Sequence, residues 1–151
     1  MKDFGKVALL ILLDQATKLL VNSNFQVGGG FDIIPKVLSI TYVRNTGAAW
    51  NSFTGQTLVL VGIPLLALVA GTIYLIKHRR DCPKVLKIAI CMVMAGGAGN
   101  LIDRVFVGYV TDMINFHIWP VFNVADILIV VGAILLCIYV LFLDNKDKKK
   151  S

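Results

Sequence analysis

At 151 residues the chain has room for one domain, and 57% hydrophobic content against 16% charged residues sets it apart from soluble proteins and among membrane proteins. A net charge of +6 would suit nucleic acid, but the basic residues gather at the ends of apolar runs and form no stripe interleaved with aromatics, so nucleic acid is discounted as a partner. Three cysteines, Cys82 in a basic loop and Cys91 and Cys137 inside apolar runs, indicate no disulfide framework and read as small apolar filler.

A bilayer core of about 30 Å takes about 20 apolar residues per helix. Four stretches approach that length: Phe4 to Val21, Thr57 to Ile76, Val85 to Ile102 and Val124 to Leu143. The first begins with the Lys-then-apolar look of a secretory signal, yet it has no Ala-x-Ala-like site and runs into Asp14-Gln15, so an uncleaved first helix is expected. Asp14 and Lys18, four apart, share a helix face and can pair, with Lys18 expected to reach outward to the interface. A packing ion pair and direct participation weigh about equally for these two. Next, Gly28-Gly29-Gly30 breaks the chain, and Phe31 to Val43, β-branched and partly alternating, predicts short strands lying on the membrane surface. From Asn45 to Phe53 small residues permit close backbone approach, and Trp50 and Phe53 suit the interfacial belt, so this segment is expected to dip into the bilayer edge.

In the second span Pro64 favours a structural kink that neighbouring helices tolerate. The third carries Ala95-Gly96-Gly97-Ala98-Gly99, a small-residue surface for close helix packing in lipid. Asn100, Asp103 and Arg104 follow on one face; an Asp-Arg neighbour pair at a helix end is often only a terminus anchor, but this one adjoins the outer mouth, as does Asn123, so the polar faces are expected to converge on one level of the membrane. The fourth opens with Asn123 three residues before Asp126. Lys2 and Lys6, the group Lys77, Arg79, Arg80, Lys84 and Lys87, and the tail Lys146, Lys148, Lys149 and Lys150 put both termini in the cytoplasm by the positive-inside rule. Asn22 to Gln56 and Val105 to Phe122 then lie outside, and the polybasic tail favours anionic inner-leaflet lipids.

All nine acidic residues are Asp, and Asp112 and Asp126 fall beside a hydrophobic span, where a charge costs roughly 2.5 to 3.5 kcal/mol. Two carboxylates within reach of one another cannot both ionise cheaply, so they share one proton. The ionised one takes a proton from an attacking water while the other donates to the scissile carbonyl oxygen, and Asn45, Asn123 and Arg104 are candidate donors to the developing charge. Rival chemistries fare worse. There is no His-Glu-x-x-His, and His78 and His117 lie in opposite loops, so neither a metal site nor a cofactor is expected. Ser23, Ser39, Ser52 and Ser151 all fall outside the spans, which leaves Ser with Lys18 as a weak alternative, and His117 reads as structural. A small four-helix transporter using Asp14 for proton coupling would explain neither the outer segment nor the Asn-rich third and fourth helices.

Asp14-Gln15-x-x-Lys18, Asn45-Thr46-Gly47-Ala48-Ala49-Trp50, Gly99-Asn100-Leu101-Ile102-Asp103-Arg104, Val110-Thr111-Asp112 and Phe122-Asn123-Val124-Ala125-Asp126 together resemble the bacterial lipoprotein signal peptidase family, signal peptidase II. Five motifs in order cover essentially the whole chain. The resemblance implies an all-α polytopic membrane protein of four transmembrane helices with a small extracytoplasmic β-sheet cradle, a single membrane-embedded peptidase domain over residues 1–151. It implies an aspartic endopeptidase of the bacterial inner membrane that removes the signal peptide from prolipoproteins just before a diacylglyceryl-modified cysteine. By position, Asp112 and Asp126 match the catalytic pair. Asn45, Gly47, Asn100, Asp103, Arg104 and Asn123 match the supporting shell, with Asp14 and Lys18 in structural or substrate-positioning roles. Lipid-modified prolipoproteins and membrane lipids are the implied partners, cyclic peptide antibiotics the implied inhibitors, and a monomer the expected state. The stretch from Asp112 to Asp126, with Phe116-His117-Ile118-Trp119-Pro120, is shorter than expected for many members, which bears on loop shape and selectivity.

Overall fold

The structure, a computed structural model, describes residues 2–47 and 56–143. The expected bilayer dip around Trp50 and Phe53 and the basic tail lie outside the described residues. In chain order the elements are α1 (Lys2–Asn24), β1 (Gly30–Ile34), β2 (Leu38–Asn45), α2 (Thr57–Lys77), α3 (Lys84–Phe106), β3 (Val110–Asn115) and α4 (Val124–Ile138), which runs on into a π-helical turn over Tyr139–Leu143.

Among the described residues three helical stretches, Leu58–Lys77, Lys84–Phe106 and Val124–Leu143, are long and apolar enough to cross a membrane. With 23 residues α1 is about 34 Å long, enough to span, but its polar and charged positions lower its hydropathy below theirs. Its outward face is nevertheless leucine: Leu9, Leu12, Leu13, Leu19 and Leu20 are all exposed. The polar residues Asp14 and Lys18 turn inward and are buried.

α3 is the central helix, half of its spanning window buried against 6% for α2 and 17% for α4. It packs against all three other helices, most extensively against α4. Lipid tails supply no hydrophobic drive between helices, so this contact depends on close approach over small residues. A Cβ on Gly96 would collide with Ala125 O and Ile129 Cγ1, and one on Gly132 would lie 2.8 Å from Val93 Cγ2 and 2.9 Å from Ala89 O. Backbone cannot step aside as a side-chain tip can. Gly96→Ala is therefore expected to destabilise the fold by roughly 1–3 kcal/mol, read as a lower thermal midpoint in detergent; an unchanged midpoint would contradict the tight α3 to α4 seam.

Among the described residues the strands between α1 and α2 and the strand between α3 and α4 form one antiparallel sheet in the order β1-β2-β3. Alternation announces β2, but β3 does not announce itself, because Val110, Thr111, Asp112 and Met113 are all buried and neither face alternates. Asp112 thus sits on a strand, opposite Val43 of β2, and not in a loop. Val21 at the end of α1 packs with Tyr42 and Met113, docking the sheet on the bundle. Gly30 belongs to the β1 and β2 pairing, where a Cβ would run into Ile40 O.

Candidate active site

Asp126 occupies the third position of α4, where Asn123 caps the helix: Asn123 Oδ1 accepts from the Asp126 N–H at 3.0 Å and Asp126 Oδ2 accepts from the Asn123 N–H at 3.1 Å. This reciprocal box satisfies two otherwise orphaned donors and fixes the Asp126 rotamer. The other oxygen, Oδ1, accepts from Asn100 Nδ2 at 2.7 Å. Asp112 reaches the same place from β3, its Oδ1 accepting from Asn123 Nδ2 at 2.7 Å and its Oδ2 from Asn45 Nδ2 at 2.9 Å. Asn45 is itself oriented, because its Oδ1 accepts from the Gly47 N–H at 2.9 Å and so leaves the amide nitrogen for Asp112.

Both aspartates line one cavity of ≈ 440 Å³ together with Asn45, Asn100 and Arg104. Its remaining walls are apolar: Val59, Leu60, Ile63 and Pro64 from α2, Ile129 and Val130 from α4, and Trp119 to Phe122 from the loop before α4. Arg104 lines this cavity while donating from Nη2 to Gly47 O at 2.9 Å, which ties the end of β2 to α3. It does not pair with Asp103 as a helix-end anchor. Asp103 turns the other way, toward α1, where Lys18 Nζ lies 3.2 Å from its Oδ2.

Lys18 departs most from expectation. Only 2% exposed, it does not reach for the interface but sits 2.9 Å from Asp14 Oδ2 and donates to Asn100 Oδ1 at 3.0 Å. The outward reach of a lysine on a spanning helix presumes water as its best partner. Here three acceptors on α1 and α3 replace water, and a buried ion pair is tolerated when its remaining hydrogen bonds are met. They are met: among the described residues no buried side-chain nitrogen or oxygen lacks a partner.

Gln15 is a contributor that sequence reasoning left in a motif without a role. Its Nε2 lies 3.1 Å from each of Asp14 Oδ2, Asp103 Oδ1 and Gly99 O, three acceptors that share its two N–H donors; a second polar residue beside Asp14 in an apolar run was the available sign. Gly99 is small for the same cluster, since a Cβ there would lie 2.5 Å from Asp14 Oδ2. His117, at φ 62°, donates its N–H to Asn115 Oδ1 at 2.8 Å and has Nε2 3.2 Å from Ser39 Oγ, outside the cavity lining. Among the described residues no three His, Cys, Asp or Glu side chains gather as metal ligands.

On β3, beyond the helices, the Asp112 carboxyl is pushed up to about 6. Burial is the main cause and the neighbouring Asp126 charge adds to it, while hydrogen bonds from Asn45 and Asn123 and the Lys18 charge oppose it. An acid so placed keeps its proton to higher pH than an ordinary carboxyl and is about half protonated near pH 6, beside a second carboxylate.

A family model for signal peptidase (SPase) II matches residues 6–142. Curated proteins named lipoprotein signal peptidase are similar along nearly their whole length. That of Clostridium acetobutylicum is 42% identical over 149 residues, covering 95% of this chain and 96% of the relative. That of Clostridioides difficile is 40% identical over 144 residues, covering 94% and 96%. A bacterial membrane enzyme solved by the in meso method superposes with a TM-score of 0.85 at 33% identity, over 99% of this chain and 93% of that one.

Proposed function

The chain belongs to the signal peptidase II family, and we propose that Asp112 and Asp126 are the catalytic pair with which it removes signal peptides from prolipoproteins. It is a membrane protease, and the convergence of both carboxylates on one cavity carries the aspartic reading. With one proton between them, the ionised carboxylate takes a proton from water as the water oxygen attacks the scissile carbonyl carbon, and its partner protonates the carbonyl oxygen. Collapse of the tetrahedral intermediate expels the amine, which takes a proton from the carboxyl that received it from water, while a hydroxyl of the intermediate returns its proton to the partner carboxylate as the carbonyl re-forms, which restores the one-proton pair. Asn45 and Asn123 hold Asp112, and Asn100 and the Asn123 N–H hold Asp126, so neither carboxylate has to reorganise during turnover. Arg104 lines the same cavity, which supports a part for it in stabilising charge that builds on the carbonyl oxygen.

In this reading the chain is one membrane-embedded peptidase domain of the bacterial cytoplasmic membrane and works as a monomer. α1 forms a fourth crossing, supported by its length and its leucine outer face. Both termini are cytoplasmic, and the three-stranded sheet sits at the outer face beside the site. The substrate is cleaved just before its diacylglyceryl-modified cysteine, and cyclic peptide antibiotics compete for the same cavity. The purified chain in detergent is expected to convert a diacylglyceryl-modified precursor to the mature lipoprotein, read as a gel shift; no shift with a confirmed modified precursor would end the proposal.

The pH profile is a sharper test. Losing the shared proton should cost activity by about tenfold per pH unit above the upper titration of the pair. That limb is expected at about 6 or higher, since surrounding lipid adds to the burial that already raises Asp112. The same proton acts on stability: between the ordinary carboxylate range and about 6 the folded chain binds it more tightly than the unfolded chain, so this contribution shrinks as pH rises through that window. A kcat/KM profile that keeps rising through neutrality with no falling limb would contradict a shared proton.

A further inference from the structure

We propose that Lys18 is the positioning residue for both aspartates, an ammonium hub that sets where each carboxylate stands and secures the orientation of the Asn100 amide between them; this rests on the aspartic reading above. Lysine has three donors and no acceptor. Here all three are taken, by Asp14 Oδ2 at 2.9 Å, Asn100 Oδ1 at 3.0 Å and Asp103 Oδ2 at 3.2 Å. None of Lys18, Asp14 and Asp103 lines the cavity, so the hub acts through other residues and not on substrate.

Two of its arms end on backbone. Asp14 Oδ1 accepts from the Ala125 N–H at 2.9 Å, and Asp103 Oδ2 accepts from the Thr111 N–H at 3.0 Å. Ala125 and Thr111 are the residues immediately before Asp126 and Asp112. One ammonium, by holding two carboxylates, therefore holds both the start of α4 and the start of β3 against α1 and α3.

The third arm sets polarity. Facing a group that only donates, Asn100 must present its oxygen to Lys18, which leaves Nδ2 for Asp126 at 2.7 Å. Asn123 then donates from Nδ2 to the same Asn100 oxygen at 3.1 Å and to Asp112 Oδ1 at 2.7 Å, keeping its own oxygen for the Asp126 N–H. Without the ammonium the Asn100 oxygen keeps only the Asn123 donor, so its hold on the orientation that presents Nδ2 to Asp126 is weakened at the first link of the chain. The charges around the hub are Asp14 on α1, Asp103 and Arg104 on α3, Asp112 on β3 and Asp126 on α4. Lys18 is the cation buried among the first two.

The test compares Lys18→Met, Lys18→Arg and the double variant Lys18→Met with Asp14→Asn, which keeps the net charge of the hub. Each is assayed as the full chain in detergent on a diacylglyceryl-modified precursor, with thermal midpoint, kcat, KM and pH profile. Misplacing the reacting groups should lower kcat by about 100-fold per folded molecule while KM stays within about threefold. In Lys18→Met the falling pH limb should also move upward, because the charge that opposes protonation of Asp112 is gone. Lys18→Arg should leave the limb in place and recover less than about a tenth of kcat, since a planar fork cannot aim at three converging acceptors. A lower thermal midpoint with unchanged kcat per folded molecule would reduce Lys18 to a packing residue and overturn the proposal, as would an unmoved limb in Lys18→Met. If Lys18→Met does not fold, the other two variants decide on the same kcat criterion. Asp112→Asn in the same assay separates the two readings: cleavage by it sinks the aspartic mechanism, whereas an inactive Asp112→Asn beside Lys18 variants with normal kcat sinks the hub alone.

Discussion

Asp112→Asn and Asp126→Asn are each expected to cut turnover of a diacylglyceryl-modified precursor by at least about 10³-fold, with membrane insertion preserved. The amide is nearly isosteric with the carboxylate but can neither take the proton from water nor hand one to the carbonyl oxygen, so the loss falls on kcat. Stability should change little. At Asp112 the substitution removes a charge from a buried site, a gain, and turns one amide N–H toward Asn45 or Asn123, both of which also donate, a loss of about 1 kcal/mol. At Asp126 the capping box loses the strength of a charged acceptor while Asn123 still caps α4, again about 1 kcal/mol. A gel-shift assay on thermally matched variants reads the result. Substantial cleavage by either one would show that the two carboxylates do not work as a unit.

The helices were legible in the sequence because lipid imposes a length on apolar runs; the described ends of α2 and α3 fall within four residues of the expected Thr57 to Ile76 and Val85 to Ile102. The sheet was half legible. Alternation in Leu38 to Val43 marks β2, whose faces differ in environment, whereas β3 is covered on both sides and its sequence carries no period. Around the site, residue types were legible and directions were not. Asp103 and Arg104 are chain neighbours on α3, yet one faces Lys18 on α1 and the other Gly47 after β2. Consecutive helical positions point about 100° apart, so adjacency in sequence argues against partnership there. Lys18 shows the same limit. Its four-residue spacing from Asp14 predicts the pair, but whether the ammonium turns to water or inward depends on Asn100 and Asp103, more than 80 positions away, which no local rule reads. The π-helical turn at Tyr139–Leu143 likewise had no marker in an unbroken apolar run.

Removing the lipid from the substrate is the second large effect expected. The cavity is polar only at the end where Asp112, Asp126, Asn45, Asn100 and Arg104 meet, and its α2 and α4 walls are aliphatic. Ile63 and Val130 on those walls are 63% and 56% exposed, so the cavity has an open apolar rim that suits an approach from lipid. A substrate can use this route if it arrives within the bilayer, and each buried methylene of an acyl chain contributes about 0.8 kcal/mol toward holding it there. Two chains beside the modified cysteine therefore raise the local concentration of the scissile bond at the depth of the aspartates, and an apolar signal helix alone leaves that depth unset. Unmodified precursor should show kcat/KM at least about 100-fold lower in liposomes, with most of the difference in KM. Narrowing the cleft gives the matching result: Ile63→Trp should raise KM for the modified precursor at least about tenfold and leave the pH limb where it was, because the bulk lies away from the carboxylates. Equal turnover of modified and unmodified precursor, with Ile63→Trp kinetically silent, would mean that the peptide reaches the aspartates from the aqueous side and that the bilayer plays no part in placing the bond.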